Sequence, residues 1–171
     1  MSLLSRLLGK PVDDRAHMQP LWHRIIELAR KREWYADHGV ADTVAGRFDA
    51  VTLVLVLVLL RMEREEELIE PSVRLTELFV EDMDGQLRQS GIGDLVVGKH
   101  IGRLMGVLGG RLGALRDALA QGDQAMAEAV ARNMTLNEGA DPAGIAAEAI
   151  ALARHLDGLS GKDILAGAIA P

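Results

Sequence analysis

Eleven consecutive residues, Ala50 to Leu60 (AVTLVLVLVLL), carry no charge and a single hydroxyl. A bilayer span needs about 20 apolar residues, so this run is too short to cross a membrane and must be buried in a core. Its four valines and one threonine favour a strand when taken alone. Two features of the surrounding chain outweigh that preference. The run passes without a breaker into Arg61-Met62-Glu63-Arg64-Glu65-Glu66-Glu67, all good helix formers, with Arg61 and Glu65 at i,i+4. No second run of strand character exists elsewhere to pair with it. The expectation is a central helix buried on nearly all sides.

The chain around this helix has 171 residues, 49% of them hydrophobic, which suits one globular domain. It has only two Trp, one Tyr and two Phe, so the core must be aliphatic, and packed helices suit it better than an aromatic-rich sandwich. Trp22, Ile25, Ile26 and Ala29 repeat at helical spacing and predict a first helix over about 15–37, ended by Gly39. Asp42 or Thr43 can cap the buried helix, which is expected to run to about 68. Pro71-Ser72 then start another, with Leu75, Leu78, Phe79 and Leu87 facing inward. Gly91-Ile92-Gly93-Asp94 breaks the chain before a long helix over about 95–120, ending at Gly122. Asp123 can cap the next helix, to about 136. Asp141-Pro142 opens a helix with an Ile145, Ala149, Leu152, Leu156 stripe. Ser160-x-x-Asp163 resembles a capping box for a short last helix. The expected fold is all-α: a single-domain bundle of six or seven helices over 15–171, preceded by an amphipathic or flexible segment, 1–14.

In that segment Leu3, Leu4, Leu7 and Leu8 fall on one helical face beside Arg6 and Lys10. Residues 2–10 are too short and polar for a secretory signal, and no small-residue cleavage site follows. They read either as a short helix packed on the domain or as a weak membrane-surface or partner-docking helix.

The composition excludes several chemistries. Without cysteine there are no disulfides, thiolate nucleophiles or Cys-bound metal centres. A formal net charge of −6 argues against a general nucleic-acid binder. That charge is uneven: residues 36–94 hold thirteen Asp/Glu against five Lys/Arg, whereas 1–35 hold seven Lys/Arg against four acids. His17, His23, His38, His100 and His155 show no HxxxH or ExxH spacing, so no metal site is expected. Glu81, Asp82 and Asp84 lie on different sides of a helix and read as a solvated acidic surface. No serine sits in a GxSxG elbow. Gly93-Asp-Leu-Val-Val-Gly98-Lys99-His100 nearly fits the phosphate-loop pattern, which needs a Gly-rich turn after a strand and a hydroxyl to hold Mg²⁺. Here His100 replaces the hydroxyl and the preceding segment reads as helix, so neither nucleotide nor other cofactor is expected.

The helix after Gly93 carries Gly98, Gly102, Gly106 and Gly110 at every fourth position, with Gly109 and Gly113 beside them. Each interior glycine costs about 1 kcal/mol against alanine. Such a stripe allows another backbone to come close, either inside the domain or from a partner helix. The same helix carries Lys99, Arg103, Arg111 and Arg116 against one acid, Asp117.

The stretch from Val80 to Lys99 (VEDMDGQLRQSGIGDLVVGK) resembles the ubiquinol–cytochrome c reductase assembly chaperone family, whose members share a pattern like MDxxLRxxGVGDxxVxKxV. The matching residues are Met83-Asp84, Leu87-Arg88, Gly91-Ile92-Gly93-Asp94, Val97, Lys99 and Ile101. Gly110-Arg111 and Ala131-Arg132-Asn133 follow as in the family, and Phe48-Asp49 resembles its upstream segment. The resemblance covers roughly 20–135. One departure is Leu108-Gly109, where family members often carry an aromatic pair. The resemblance implies an all-helical, non-enzymatic chaperone. The absence of a presequence suits a bacterial cytoplasmic member, either free in the cytoplasm or peripheral at the inner membrane's cytoplasmic face. Its expected client is cytochrome b or another bc1 subunit, with a co-chaperone as a further partner. Asp84, Arg88, Asp94, Lys99, Arg103, Gly106, Gly110 and Arg111 are the candidate partner-binding residues, because this region joins the family string to a basic helix and the glycine stripe. The competing readings are an adaptor for another membrane-associated partner and, from the enzyme class, a nucleotide binder built on Gly93–Lys99.

Overall fold

A computed structural model describes the backbone of residues 14–89 and 94–171, with side chains described over 16–86 and 101–171. Expectations about residues 1–13, and about the inward packing of Leu87, fall outside the described residues. A 3-10 turn, Asp14–Met18, leads into α1 (Gln19–Ala29) and the single turn α2 (Arg32–Ala36). Then come α3 (Val44–Met62), α4 (Glu66–Gln89), α5 (Asp94–Gln121), α6 (Asp123–Asn133), α7 (Pro142–Asp157) and the short α8 (Gly161–Leu165). The fold is all-α: among the described residues the only extended pairing is one antiparallel bridge, Val40 to Leu136.

The apolar run is helical, and it is the axis of the bundle. Every residue of α3 from Asp49 to Met62 is buried, and the helix touches α1, α4, α5 and α7. A helix apolar on all sides needs neighbours on all sides, and these four supply them. Thr52 resolves its own polarity by donating its hydroxyl to Phe48 O at 2.8 Å. Three caps form as their sequences dictate. Thr43 accepts from Gly46 N, Asp141 from Ala143 N and Ser160 from Asp163 N.

Four boundaries differ from the sequence reading. The first helix is divided into the 3-10 turn, α1 and α2, because the chain turns at Arg30-Lys31 and Trp34 Nε1 donates back to Leu28 O at 2.9 Å. The buried helix stops at Met62, where Arg64 and Glu65 N–H groups turn onto Arg61 and Met62 carbonyls. Pro71 lies inside α4 rather than at its start. It forfeits one backbone donor in the second turn, which a helix of 24 residues tolerates. Asp123 is the first residue of α6 rather than its cap, since Gly122 occupies that position with φ +98°.

Gly46 has no substitute in this fold: a Cβ there would lie 1.9 Å from Ala41 O. The loop before α3 is therefore pressed onto the helix's first turn. Gly39, at φ +77°, reverses the chain just before it.

Leu55 is fully buried at the centre of α3. Leu55→Ala is expected to cost about 2–5 kcal/mol, read from urea unfolding with an unchanged m-value. A loss under about 1 kcal/mol would show that the axis is not close-packed.

Candidate functional site

The first turns of α3 carry the residue that joins three parts of the chain. Asp49, 6% exposed, accepts from Thr135 N at 2.8 Å and from Thr135 Oγ1 at 2.7 Å. Its other oxygen accepts from Arg111 on α5. The Arg111 guanidinium also lies 5.6 Å above the Phe48 ring centre, a cation–π arrangement. Phe48 faces Phe79 of α4 at 6.2 Å, and Phe79 meets Trp22 of α1 edge-on at 6.1 Å. This line of contacts ties α1, α4, α3 and α5 together. The loop bearing Thr135 is locked from the other side, where Ala41 N donates to Thr135 O and Asn137 N to Gly39 O.

Beside this junction opens a groove of about 1430 Å³. Its floor is apolar: Ile26 from α1, Phe48 and Val51 from α3, Met83 from α4, and Leu104 and Val107 from α5. Val44, at the start of α3, stands 88% exposed on its edge. Five arginines line the groove, Arg30, Arg32, Arg47, Arg103 and Arg111, against two acids, Asp42 and Asp49. Two of the five are spoken for, Arg111 by Asp49 and Arg47 by Asp42 at 2.7 Å. The Arg47 hydrogen bond holds the exposed Asp42 carboxyl below its ordinary range. Exposed Arg30, Arg32 and Arg103 have no carboxylate partner among the described residues.

The candidate residues are not brought to one place. Arg103 and Arg111 line the groove, Arg111 from a half-buried, paired position. Gly106 and Gly110 line an adjacent depression with Val107, Arg132 and Thr135. Asp84 faces away from both, into a hollow between α4 and α5 shared with Ile101 and Met105. The side chains of Arg88, Asp94 and Lys99 lie outside the described residues. Among the described residues the glycine stripe is not a seam inside the domain: a Cβ on Gly102, Gly106, Gly109, Gly110 or Gly113 would meet nothing within 4 Å, while Gly98 lies outside the described side chains. Arg30, Arg32, Tyr35 and Arg47 escaped the sequence reading. The signal for two of them was present in the basic run Arg30-Lys31-Arg32, which closes the one net-basic third of the chain.

The family described as ubiquinol–cytochrome C chaperone matches residues 36–170. The chain belongs to the ubiquinol–cytochrome c chaperone family. Its structure is also similar to the crystal structure of the Cbp3 homolog from Brucella abortus, with TM-score 0.80 and 30% sequence identity, over 97% of this chain and 94% of that one. No curated protein matches it significantly by sequence. Residues 36–170 of this chaperone-family chain include α3 to α8 and the Asp49–Arg111–Thr135 junction, whereas Ile26, Arg30, Arg32 and Tyr35 of the groove precede that match.

The junction predicts a coupled response. Asp49→Ala leaves the Arg111 cation half-buried without its partner and is expected to cost about 3–5 kcal/mol. The Asp49→Ala, Arg111→Ala double variant should cost clearly less than the sum of the two singles in urea unfolding; additivity would show that the pair is not coupled. Tyr35 gives a second test. Burial pushes its phenol above the usual value of 10.0, Asp42 adds to the rise, and Arg47 and Arg30 oppose it. Its hydroxyl donates to Ala29 O at 2.9 Å. A folded-state value above the unfolded one means that this contribution is whole below pH 10 and lost as pH rises through the folded value. The chain has one tyrosine, so ultraviolet titration isolates it. The midpoint should lie above 10.0 when folded and return to it in urea; equal midpoints would contradict the burial.

Proposed function

We propose that this chain is a non-enzymatic assembly chaperone that holds a hydrophobic client, cytochrome b, during biogenesis of the cytochrome bc1 complex. The observation that carries this reading is the groove: an apolar floor left open to solvent on an otherwise well-packed bundle. An apolar floor rimmed by charged side chains supports a place where another molecule is received. Among the described residues the groove offers packing surface and guanidinium groups, with no nucleophile–base arrangement such as acyl or phosphoryl transfer needs. Family membership and the likeness to the Cbp3 homolog support a protein client within bc1 biogenesis.

Within this reading Arg103 and Arg111 contact the client from the groove, and Gly106 and Gly110 present the smooth edge over which it passes. Asp84, Arg88, Asp94 and Lys99 extend the contact surface along α4 and α5 or meet a co-chaperone. The place of work is the cytoplasmic face of the inner membrane, with residues 2–10 as a peripheral contact. Among the described residues no helix is long and apolar enough to cross a membrane. An adaptor for some unrelated partner would share the groove but not the family.

A photo-crosslinking amino acid in place of Val107, at the groove floor, tests this in the native membrane fraction. It should capture cytochrome b or another bc1 subunit, whereas the same probe at exposed Ala151 on α7 should not. Capture of unrelated proteins alone, or equal capture from both positions, would overturn the reading.

A further inference from the structure

We propose that the groove is a docking site for a helical protein segment whose apolar face is flanked by carboxylates. This rests on the reading that the chain holds a protein client, and it adds the chemistry by which the segment is chosen. The groove's volume of about 1430 Å³ exceeds the roughly 300–1,000 Å³ of small-molecule sites. A helix with its side chains is about 10–12 Å across, a body that an open groove of this volume can receive. Phe48, Val51, Leu104 and Val107 give such a helix an apolar bed.

The charges decide which helix. Arg47 and Arg111 are already matched by Asp42 and Asp49, but Arg30, Arg32 and Arg103 are matched by no carboxylate among the described residues. Arg30 and Arg32 come from one wall and Arg103 from α5. Basic flanks would set like charges against three guanidiniums, a repulsion that discriminates strongly between partners. Acidic flanks give each guanidinium an oxygen, and the planar fork accepts a carboxylate with two bonds. An anionic membrane would satisfy the same arginines, but a lipid surface is flat and would leave the recessed floor uncovered.

The probes are two fluorescein-labelled helical peptides of about 18 residues, with leucines at i, i+3, i+4 and i+7. Glutamates flank the leucines in one peptide and lysines in the other. Anisotropy with the full chain should show the Glu peptide binding at least about tenfold tighter, with a preference that weakens in high salt. Arg30→Glu with Arg103→Glu should reverse that preference; both residues are exposed, and circular dichroism checks that the fold is intact. Equal binding of the two peptides, binding of neither, or an unchanged preference in the double variant would overturn the proposal. So would displacement of the Glu peptide by phosphatidylglycerol vesicles, which would assign the arginines to a membrane. The readout contains no cytochrome b. A bc1 subunit captured at Val107 together with indifferent peptides therefore defeats only this proposal, whereas failed capture defeats the client reading by itself.

Discussion

A helix that is apolar on every side has no polar face to tell it which way to turn. That is the condition of α3, and the fold depends on how it is resolved. Burial alone would hold residues 49–62 in the centre of the bundle while leaving rotation and sliding weakly specified. The two charged residues within that stretch supply the missing register. Asp49 reaches Thr135 and Arg111 near the start of the helix, and Arg61 reaches the other end of the molecule. Arg61 is 7% exposed, donates to Leu156 O at 3.0 Å and to Leu159 O at 2.8 Å, and pairs with Glu65. Those carbonyls belong to the last turn of α7 and the residues just after it, where the helix dipole favours a cation; Leu156 O accepts from Leu159 N as well. Twelve residues at 1.5 Å each set the two pins about 18 Å apart on the helix axis. Buried charges of this kind add little net stability over apolar replacements, and here they join α3 to fixed partners at both ends of the bundle.

The groove follows from the same pin. α5 contributes buried Leu108 and Leu115 to the core, and beside the groove it meets α3 through the Arg111 guanidinium, held by Asp49 and laid over Phe48. An arginine cannot be wholly buried without further partners, and Arg111 keeps 13% of its side chain exposed. Its neighbours Leu104 and Val107, two turns and one turn before it on α5, remain half-exposed, and Phe48 and Val51 face them from α3. The apolar floor is therefore what is left uncovered beside this polar contact, at the edge of the packed seam between the two helices. The 39–42 loop, bonded to Thr135 and allowed by Gly46 to press on the first turn of α3, brings Asp42 to the groove.

What the sequence made legible was local. The helical state of Ala50–Leu60, the Thr43, Asp141 and Ser160 caps and the buried stripe of α7 all depend on residues within a few positions of one another. The same holds for the MD…LR…GxGD string, whose specificity is in its spacing. Contacts across the chain were not legible. Asp49 and Arg111 are 62 positions apart, and Asp49 and Thr135 are 86, so no periodicity announces them. The turn that ends α1 depends on Trp34 reaching back to Leu28, and the local pattern of apolar residues runs straight through it. Pro71 misled for the opposite reason: a strong local rule yielded to the tertiary contacts of Leu68, Leu75 and Phe79, which hold α4 continuous across it. The exposed glycines of α5 show a similar limit. Their spacing admits a close neighbour but does not say whether one is present, and within the described residues of this chain none is.

The arginines of this molecule separate into two kinds by their surroundings rather than by their sequence neighbours. Arg61 and Arg111 are removed from water and compensated within the chain, so their loss would be felt by the fold. Arg30, Arg32 and Arg103 are solvated and uncompensated among the described residues, so their loss leaves packing untouched and changes only the field at the groove. Surface charges of the second kind contribute little to stability even when paired. Their effect appears when a partner excludes water from the groove and the effective dielectric falls. A chaperone must release what it holds, and an apolar floor alone would bind in proportion to area with no discrimination between segments. Placing the charges at the rim, over a floor open enough to stay wet, lets charge select the segment while the modest apolar bed keeps the hold reversible.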